Sequence, residues 1–498
     1  MKKLKVLFLY SNMQMMFIIP AAITSLSAYL KKHNIDTDLF ETTLYKIDDK
    51  SSDDRRAEVC QVKPTKPSDV GLNYRTTNMV DDFQEKINIY NPDVIAISCN
   101  DFTHITAENL LDQVIIPNNV RVIMGGVYPT FFPEYAVKHK KINAICIGEG
   151  FDALVEYVQN PQRTNIPNLW IKEDNNIHKN LLRKPINLSK LPIEDFSIFD
   201  EKRLYRPMHG KMLKMLPFWI DIGCPYSCAY CTAPSLRNLY ENNNYHYLRV
   251  KDVKQIIDEL QFNVKKYNVE YLYCSTENFF SRPKHHILDF AKQYIEKIKL
   301  PFWAETRVEN LTDENVQILK DMGCSRLSLG LESGCEEYRT KHLHKKFTNE
   351  QFRMAIKNLS RYNLNCTINN MINFPDETRD MIFKTIYENR KVVEDYKNID
   401  ISLTVSVFVP CGGSNLQQEC IQRGYLNLDE YLQKPPNTFH GGFWLKNKNL
   451  TESELKGLYR TFPLYVRLPA SKFNDIKKAE TDDNLYTELK EIYWKLNS

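Results

Sequence analysis

Three cysteines in one short stretch constrain this chain more than any other feature. Cys224, Cys228 and Cys231 stand in the run GCPYSCAYC with C-x3-C-x2-C spacing, directly after an apolar segment that predicts a strand, Phe218–Ile222. Three thiolates from one loop can bind three irons of a [4Fe–4S] cube and leave the fourth iron open, whereas a closed ferredoxin cluster takes four cysteines. The alternatives are a structural zinc site or three unrelated cysteines, but zinc pairs usually have C-x2-C spacing and come in fours.

Composition narrows the class of protein. Of the 498 residues, 43% are hydrophobic and 26% are charged, and the formal net charge is +4. These values are ordinary for a globular protein of several domains, and the charge gives no reason to expect nucleic acid as a partner. No apolar stretch approaches the roughly 20 residues that a membrane span needs. The cysteines lack the regular spacings of a disulfide framework, which favours reduced thiols and a cytoplasmic location.

The first part of the chain, residues 1–160, alternates strand and helix patterns and predicts a doubly wound parallel sheet. Its strands are predicted at Lys5–Tyr10, Asp36–Glu41, Val94–Ser98, Val120–Gly125 and Ala144–Ile147. Ligands bind such a sheet beyond the carboxyl ends of its strands, so the loops there hold the candidate contacts. These candidates are Ser11, Asn12, Gln14, Ser98, Asn100, Thr103, Gly125, Gly126, Tyr128, Pro129, Thr130, Gly148, Glu149 and Gly150.

The middle of the chain repeats a strand-then-helix unit six times, which predicts a partial (β/α)6 barrel. Its strands are predicted at Trp219–Gly223, Tyr271–Cys274, Phe302–Arg307, Arg326–Ser333, Cys366–Phe374 and Ser402–Pro410. Active sites of such barrels form at the C-terminal ends of the strands. The three cysteines follow the first predicted strand, and Glu277 and Asn278 of STENFF follow the second. The last part, 416–498, matches no motif and predicts mostly helix, at Glu452–Thr461 and Asp482–Leu496.

These motifs resemble those of the cobalamin-dependent radical S-adenosylmethionine (SAM) enzymes, of the class B methyltransferase type. The resemblance rests on the cysteine motif, on GGVYPTFFPE followed by CIGEG, and on the order of the parts, so it extends through most of the chain. It implies a Rossmann-like cobalamin-binding domain (1–160), a Pro-rich linker (161–215), a radical SAM barrel (216–415) and a helical C-terminal region that shapes the substrate pocket (416–498).

The resemblance also implies roles for single residues. The three cysteines would bind the cluster, and Glu277 occupies the place of the acidic motif that receives the amino group of SAM. Arg307 and Glu332 occupy positions that line the cofactor region, with Asn278 and Tyr230 beside them. The plainer interpretation is that each is a polar residue at the end of a barrel strand. The run NFPDET, 373–378, matches the family's Gly-x-Pro-Gly-Glu-Thr loop only in part.

One departure concerns cobalt. Many cobalamin proteins supply a histidine ligand from an Asp-x-His-x-x-Gly loop after the first strand, but that loop here reads SNMQMMFIIP, and the first histidine of the chain is His33. The sequence therefore predicts that cobalamin binds without a histidine on cobalt. The alternative is a domain that has lost cobalamin and persists as a scaffold.

The activity implied by the resemblance is reductive cleavage of SAM at the cluster to a 5′-deoxyadenosyl radical. With cobalamin, the expected outcome is methylation of an unactivated carbon of a small molecule or peptide. An external reductant such as flavodoxin or ferredoxin would supply electrons. Two alternatives stay open: a radical cyclase, rearrangement or carbon–carbon coupling enzyme that transfers no methyl group, and a non-catalytic iron–sulfur or cobalamin sensor.

Overall fold

The first part of the chain forms a parallel sheet covered by helices on both faces. The computed structural model describes residues 3–174, 176–435 and 442–497. The strands of the first sheet are β1 Lys5–Tyr10, β2 Asp36–Glu41, β3 Val94–Ser98, β4 Arg121–Gly125, β5 Ala144–Cys146, β6 Leu169–Glu173 and β7 Asn176–Lys179. Its helices are α1 Ala21–Lys32, α2 Ser52–Glu58, α3 Met79–Tyr90, α4 His104–Gln113, α5 Val127–Phe131, α6 Pro133–Ala136 and α7 Phe151–Gln159.

The order of these strands fixes where a ligand can bind. Among the described residues the order is β2-β1-β3-β4-β5-β6-β7, and β1 to β5 run parallel. Four consecutive residues of β1, from Val6 to Leu9, are at most 1% exposed, as expected for a strand covered on both faces. The chain changes direction between β1 and β3, and the crevice at such a switch point is the usual ligand site. The predicted doubly wound sheet is confirmed.

A hairpin extends this sheet beyond the five predicted strands. Strand β6 pairs antiparallel with β5, and β7 pairs antiparallel with β6. Both lie in the segment predicted as linker, whose short strands and charged residues gave no clear alternating pattern. The connection between the first sheet and the second sheet is therefore short and runs only from Asn180 to Leu204.

The second sheet is a partial barrel. Its strands are β8 Tyr205–Met208, β9 Lys211–Phe218, β12 Tyr271–Cys274, β13 Phe302–Thr306, β14 Cys324–Glu332, β15 Asn365–Ile372 and β16 Ile401–Val407, and a small separate pair consists of β10 Asp221–Ile222 and β11 Arg249–Val250. In the described residues the order is β16-β15-β14-β13-β12-β9-β8. The six strands from β9 to β16 run parallel, and β8 joins the edge antiparallel. The predicted six-stranded barrel is confirmed.

The first barrel strand differs from its prediction. It is β9, which ends at Phe218 and pairs Leu216 with Leu272, whereas the strand was expected over Trp219–Gly223. That stretch instead holds β10, which pairs antiparallel with β11. Pro217 inside KMLKMLPF argued against a strand there, because proline cannot donate to a ladder. The cysteine loop therefore begins after a short turn of backbone that crosses the end of the barrel.

Helices cover the outer face of the barrel and complete the chain. Those between barrel strands are α8 Ala233–Glu241, α9 Val253–Tyr267, α10 Lys284–Lys297, α11 Asp313–Asp321, α12 Glu336–Lys341, α13 Asn349–Arg361 and α14 Arg379–Asp395. The C-terminal ones are α15 Asn415–Gln422, α16 Leu428–Gln433, α17 Glu452–Arg467, α18 Phe473–Ala479 and α19 Asp483–Asn497. Helix α17 continues through Pro463, beyond the predicted end at Thr461. The run QKPPNTFHGGFW, 433–444, lies partly outside the described residues.

No helix in the described ranges is both long and apolar enough to cross a membrane.

Candidate cofactor sites

The three motif cysteines lie in one loop that neighbouring segments hold in place. The guanidinium of Arg237 donates to the carbonyl oxygens of Cys224 (2.8 Å) and Tyr226 (3.3 Å). In the middle of the loop, the Ala229 N–H donates to the Leu343 carbonyl at 3.1 Å, and the Ala229 carbonyl accepts from Leu416 N at 2.8 Å. The loop is thus fixed through its backbone, by other backbone groups and by Arg237.

These cysteines also differ from the others in exposure. Cys224, Cys228 and Cys231 are free and partly exposed, and of the other nine only Cys411 is not buried. Burial nevertheless raises the pKa of Cys224 to about 12 and that of Cys231 to about 11. Among the described residues, no three His, Cys, Asp or Glu side chains converge closely enough to hold one metal ion. A cluster in which each thiolate binds its own iron does not need that convergence.

Arg307 places a positive charge against the cysteine loop. Its Nη1 donates to Cys228 Sγ at 2.9 Å, and its Nη2 pairs with Glu309 at 2.5 Å. The guanidinium also lies 4.0 Å from the centre of the Tyr226 ring. Contact with a cation favours the thiolate form of a cysteine, which is the form that binds iron. The residue predicted to line the cofactor region is therefore brought next to the cluster motif.

Glu332 and Tyr230 are also brought together. The Tyr230 hydroxyl and the Lys345 ammonium both lie 3.0 Å from Glu332 Oε1, so strand β14 is tied to the cysteine loop. Glu332 has a left-handed backbone, φ 62°, at a point where the register with β15 shifts. A non-glycine residue held in that conformation is strained and is often found at functional sites. The predicted role of Glu332 in lining the cofactor region stays a prediction.

Glu277 and Asn278, although adjacent, have different surroundings. Asn278 is 1% exposed, and its Oδ1 accepts from Thr306 at 2.7 Å and from Asn310 at 3.1 Å. Glu277 has its side chain in an open space, with no ion pair to any described residue. The protein around that space still desolvates the carboxyl and raises its pKa. Its exposed surface faces a cavity rather than bulk solvent, so Glu277 has an unused carboxylate beside the cluster motif.

That space is a cavity of about 380 Å³ between the first sheet and the barrel. On the sheet side it is lined by the switch-point loops, the start of α1 and the start of α7: Phe8, Ala21, Ala22, Ser25, Leu26, Ala96, Ile97, Ser98, Ile123, Gly125, Gly126, Cys146, Gly148, Glu149, Gly150, Phe151 and Leu154. On the barrel side it is lined by Trp219, Asp221, Ile222, Gly223, Tyr247, Ser275 and Glu277. Ligand pockets usually measure about 300–1,000 Å³, so the cavity accommodates part of a cofactor as large as cobalamin.

The chemistry of the sheet side suits such a cofactor. It presents glycine backbone, alanines and apolar side chains, which allow a flat macrocycle to approach closely. Of the described residues that line the cavity, none is a histidine. His104, which follows the loop after β3, is 1% exposed, and its two ring nitrogens contact the carbonyl oxygens of Asp101 and Leu432. Burial lowers its pKa to about 4. The residues present therefore fit cobalamin bound without a histidine ligand.

Glycine is required at two of the predicted contacts. Gly126 has φ 110°, and a Cβ there would lie 2.2 Å from the Cys99 carbonyl oxygen. Gly148 has φ 74°, and its Cβ would lie 2.2 Å from the Tyr240 hydroxyl. Thr130 joins the two loops, because its Oγ1 donates to the Gly126 carbonyl at 2.7 Å and accepts from Gly148 N at 3.1 Å. Together these contacts shape the loops that face the cavity.

Several predicted sheet-side contacts do not line the cavity. Their side chains instead bond within the sheet's own loops: Ser11 donates to the Thr103 carbonyl, Asn12 donates to Met16 and Thr43, Gln14 accepts from Ile47 and Asp48, and Asn100 accepts from Phe102 and Thr103. Tyr128 is buried and stacked on His104 at 3.8 Å, and Pro129 is buried beside it. Of the predicted set, Ser98, Gly125, Gly126, Gly148, Glu149 and Gly150 line the cavity.

Other cavity residues escaped the sequence reasoning. Asp221 and Trp219 lie in the stretch that was predicted as a buried strand. Tyr247 lies in a loop that contains no motif, and its ring stacks on the Tyr240 ring with 5.0 Å between the ring centres. Glu149 is engaged by Arg249 of β11, which ties the two halves of the cavity. The sequence did hold one signal, since an aspartate inside the apolar run FWIDIG just before the cysteines is unusual for a buried strand.

Comparisons with known proteins agree with this geometry. A model of the radical SAM superfamily matches residues 222–386, and a model of the B12 binding domain matches residues 17–158. An uncharacterized methyltransferase of Pyrococcus horikoshii is 24% identical over 392 residues, which cover 76% of this chain and 79% of that protein. The anaerobic magnesium-protoporphyrin IX monomethyl ester cyclase of Rubrivivax gelatinosus is 24% identical over 353 residues, 68% of this chain and 60% of the cyclase.

One solved structure shares the fold of nearly the whole of this chain. The cobalamin-dependent SAM radical enzyme OxsB, determined with aqua-cobalamin and SAM bound, superposes with a TM-score of 0.64 at 16% identity, over 99% of this chain and 71% of that chain. The chain therefore contains, in the expected order, a domain of the B12 binding type and a domain of the radical SAM superfamily. The cofactors of these two kinds of domain are cobalamin on the one hand and a [4Fe–4S] cluster with SAM on the other.

Proposed function

We propose that this enzyme is a C-methyltransferase that methylates an unactivated carbon of a small molecule or peptide. The observation that carries the proposal is the shared cavity. Glu277, next to the cluster motif, and the glycine loops of the first sheet line the same cavity. A reaction that uses both cofactors on one substrate needs the two sites in contact, and this cavity supplies that contact. The similarity to the Pyrococcus methyltransferase supports the same conclusion.

Different residues would bind the different cofactors. Cys224, Cys228 and Cys231 would hold the cluster, Glu277 would accept the amino group of SAM, and the loops with Gly126 and Gly148 would hold cobalamin. When bound, the cluster and SAM supply a radical able to abstract hydrogen, and cobalamin supplies the methyl group.

The protein's own contribution is positioning and exclusion of water. Arg307 orients Cys228 and balances its charge through a 2.9 Å contact. Glu277 offers a desolvated carboxylate, which forms stronger hydrogen bonds than the same group in water. The Glu149–Arg249 pair closes one side of the cavity by joining the two domains. Such an enclosure protects reactive species from solvent.

A second candidate function has its own support. The Rubrivivax relative is named as a cyclase, so a radical reaction that transfers no methyl group is the main competitor. A non-catalytic sensor is the third possibility, but a sensor does not need an unused carboxylate beside the cluster motif. An external electron donor such as flavodoxin or ferredoxin, a cytoplasmic location and the absence of a nucleic-acid partner belong to this proposal too.

One experiment separates the three functions. Cluster-reconstituted protein is incubated anaerobically with SAM and dithionite, with and without hydroxocobalamin, and the nucleoside products are measured. A methyltransferase uses SAM both as radical source and as methyl donor, so we expect 5′-deoxyadenosine in both cases and S-adenosylhomocysteine only with cobalamin. A cyclase would give 5′-deoxyadenosine alone under both conditions, and a sensor would give neither product.

A further inference from the structure

The interior of the barrel contains a carboxylate that the proposed cofactor sites do not use. Side chains alternate along β13: Phe302 and Ala304 are fully buried and belong to the core that includes the surrounding helices, whereas Trp303 and Glu305 are partly exposed. Successive side chains of a strand point to opposite faces of its sheet, so Trp303 and Glu305 face the interior of the barrel. Glu305 is therefore a charged residue on the inner face of a central strand.

The two oxygens of the Glu305 carboxylate have different surroundings. Oε1 accepts a hydrogen bond from the Tyr273 hydroxyl at 2.8 Å. Oε2 has no donor among the described residues, and it is not one of their enclosed polar atoms, so it keeps accessible surface. The guanidinium of Arg206 lies 4.3 Å from the centre of the Tyr273 ring and makes no ion pair with Glu305. Burial raises the pKa of the Glu305 carboxyl, because its surroundings disfavour an unpaired negative charge.

Glu305 lies one layer of side chains below the residues assigned to the cofactors. Arg307, the second residue after Glu305, contacts the cysteine motif. On the neighbouring strand β12, Tyr273 is followed by Ser275 and Glu277, both of which line the cavity. Two residues of a strand span roughly 7 Å. A small molecule bound to Glu305 would therefore extend toward the cavity in which the two cofactor sites meet.

The other strands of the barrel leave space in front of this carboxylate. Following the strand register from Glu305, the inner faces of β14, β15 and β16 present glycine and short polar side chains: Ser328, Gly330, Thr367, Asn369, Ser402 and Thr404. Four of the six, Gly330, Asn369, Ser402 and Thr404, are partly exposed. None of the six carries a charge, so they offer a ligand hydrogen bonds only. Recognition of charge on this part of the inner surface falls to Glu305.

We propose that Glu305 binds a cationic group of the substrate, so that the enzyme acts on a small molecule that carries an ammonium or another basic nitrogen. This inference rests on the proposed function and names the substrate class for it. Oε2 provides the acceptor, and the Tyr273 hydroxyl orients the carboxylate through Oε1. A cation that pairs with the carboxylate offsets the cost of its desolvation, whereas a neutral or anionic substrate does not.

The test compares three probes of similar size and different charge: n-propylammonium, n-propanol and propionate. Each is titrated by ligand-observed NMR into protein reconstituted with cluster, SAM and hydroxocobalamin, as wild type, Glu305→Gln, Glu305→Asp and Glu314→Gln, a control that removes an exposed carboxylate. We expect wild type and control to bind n-propylammonium at least about 10-fold more tightly than n-propanol, because one hydrogen bond to a charged group is gained. Glu305→Gln should lose that preference.

Each outcome has a defined meaning. Equal binding of n-propylammonium and n-propanol by wild type, or an unchanged preference in folded Glu305→Gln, would overturn this inference alone. A preference for propionate would assign the interior to an anion beside Arg206, and a loss of SAM affinity in Glu305→Gln would assign Glu305 to SAM; either result overturns the inference.

Should Glu305→Gln fail to fold, Glu305→Asp decides, because its withdrawn carboxylate should lower the preference by about 3- to 10-fold. Binding of the probes requires no methyl transfer. A wild type that prefers n-propylammonium but forms no S-adenosylhomocysteine in the product assay would therefore overturn the proposed function and leave the cation site standing.

Discussion

The two regions that face each other across the cavity use different chemistry. On the barrel side, side chains are available for contact: Glu277 has no ion pair to any described residue, and the three motif cysteines are partly exposed. On the sheet side, Ser11 and Asn12 are engaged in hydrogen bonds within their own loops, and glycine backbone forms the wall. Under the proposed function, the barrel would recognise its cofactors by charge and coordination, and the sheet would recognise cobalamin by shape. Substitutions should act differently in the two regions.

The largest effect is expected at the cysteine loop. Replacing Cys224, Cys228 or Cys231 by Ala should abolish the [4Fe–4S] cluster after anaerobic reconstitution, because each thiolate binds a separate iron. Iron and sulfide content and the cluster's visible absorbance measure this. Cys411→Ala, a partly exposed cysteine outside the motif, should keep a full cluster. Stoichiometric zinc without cluster absorbance in the wild type would contradict the assignment.

The next effect tests shape recognition on the sheet side. Gly148→Ala should destabilise the protein by about 2–4 kcal/mol, since a Cβ clash adds to the cost of a left-handed alanine. Gly424→Ala is the matched control, because Gly424 has φ 72° and nothing within 4 Å of its Cβ. Denaturant unfolding of both variants isolates the clash, and a hydroxocobalamin titration shows whether the cavity changes. Equal stabilities for the two variants would mean that the close approach of Gly148 to Tyr240 is unimportant.

A smaller effect is expected at Glu277. Glu277→Ala should weaken SAM binding by roughly 1.5–3 kcal/mol, the value of one charge-assisted hydrogen bond, and should leave the fold intact. Titration of the reconstituted protein with SAM measures the loss, and circular dichroism checks the fold. The variant Asp258→Asn, which removes an exposed carboxylate, serves as a charge control. Unchanged SAM affinity in folded Glu277→Ala would refute the role taken from the family motif.

The smallest effect on cofactor binding is expected at a barrel carboxyl that does not line the cavity, where the prediction concerns stability alone. Glu377 is fully buried and accepts from the backbone N–H groups of Asn373 (2.6 Å) and Phe374 (3.2 Å). Burial raises its pKa to about 8 from an ordinary 4.5, so the folded state binds its proton more tightly than the unfolded state does. That contribution to stability is complete below about pH 4.5 and is lost as the pH rises towards about 8.

The variant Glu377→Gln should remove this pH dependence. The difference in unfolding free energy between wild type and variant should change by up to about 4–5 kcal/mol between acidic and mildly alkaline pH, in the direction that favours wild type at low pH. Urea unfolding across that range measures it. Parallel stability curves would show that the Glu377 carboxyl titrates normally.

Much of the fold could be predicted from sequence because strand and helix periods are local. Strands β1 and β3 have the predicted bounds, since each is an apolar run bounded by polar residues. The first barrel strand could not be found in this way, because Pro217 and two lysines mask β9. Its pairing with β12 is a tertiary effect that overrides the local signal.

The candidate site, like the fold, could be predicted only where the signal is local. The cysteines and Glu277 could be predicted because each lies in a short sequence motif. On the sheet side, the sequence shows which residues lie in the switch-point loops but not which of them line the cavity. The Ser11 side chain bonds to the Thr103 carbonyl within the loops, whereas the backbone of Gly148 lines the cavity. Trp219 and Tyr247 were missed because they line a cavity that forms only where the sheet and the barrel meet, which no local pattern encodes.

The most direct test of the account is the cobalt(II) electron paramagnetic resonance spectrum of cobalamin bound to the reconstituted protein. The account holds that cobalamin fills the cavity between the sheet and the barrel, whose described wall contains no histidine. It therefore predicts stoichiometric uptake of cobalamin and a spectrum without nitrogen superhyperfine splitting from an axial imidazole. Such splitting would contradict the predicted absence of a histidine ligand, and a protein that takes up no cobalamin would contradict the proposed site itself.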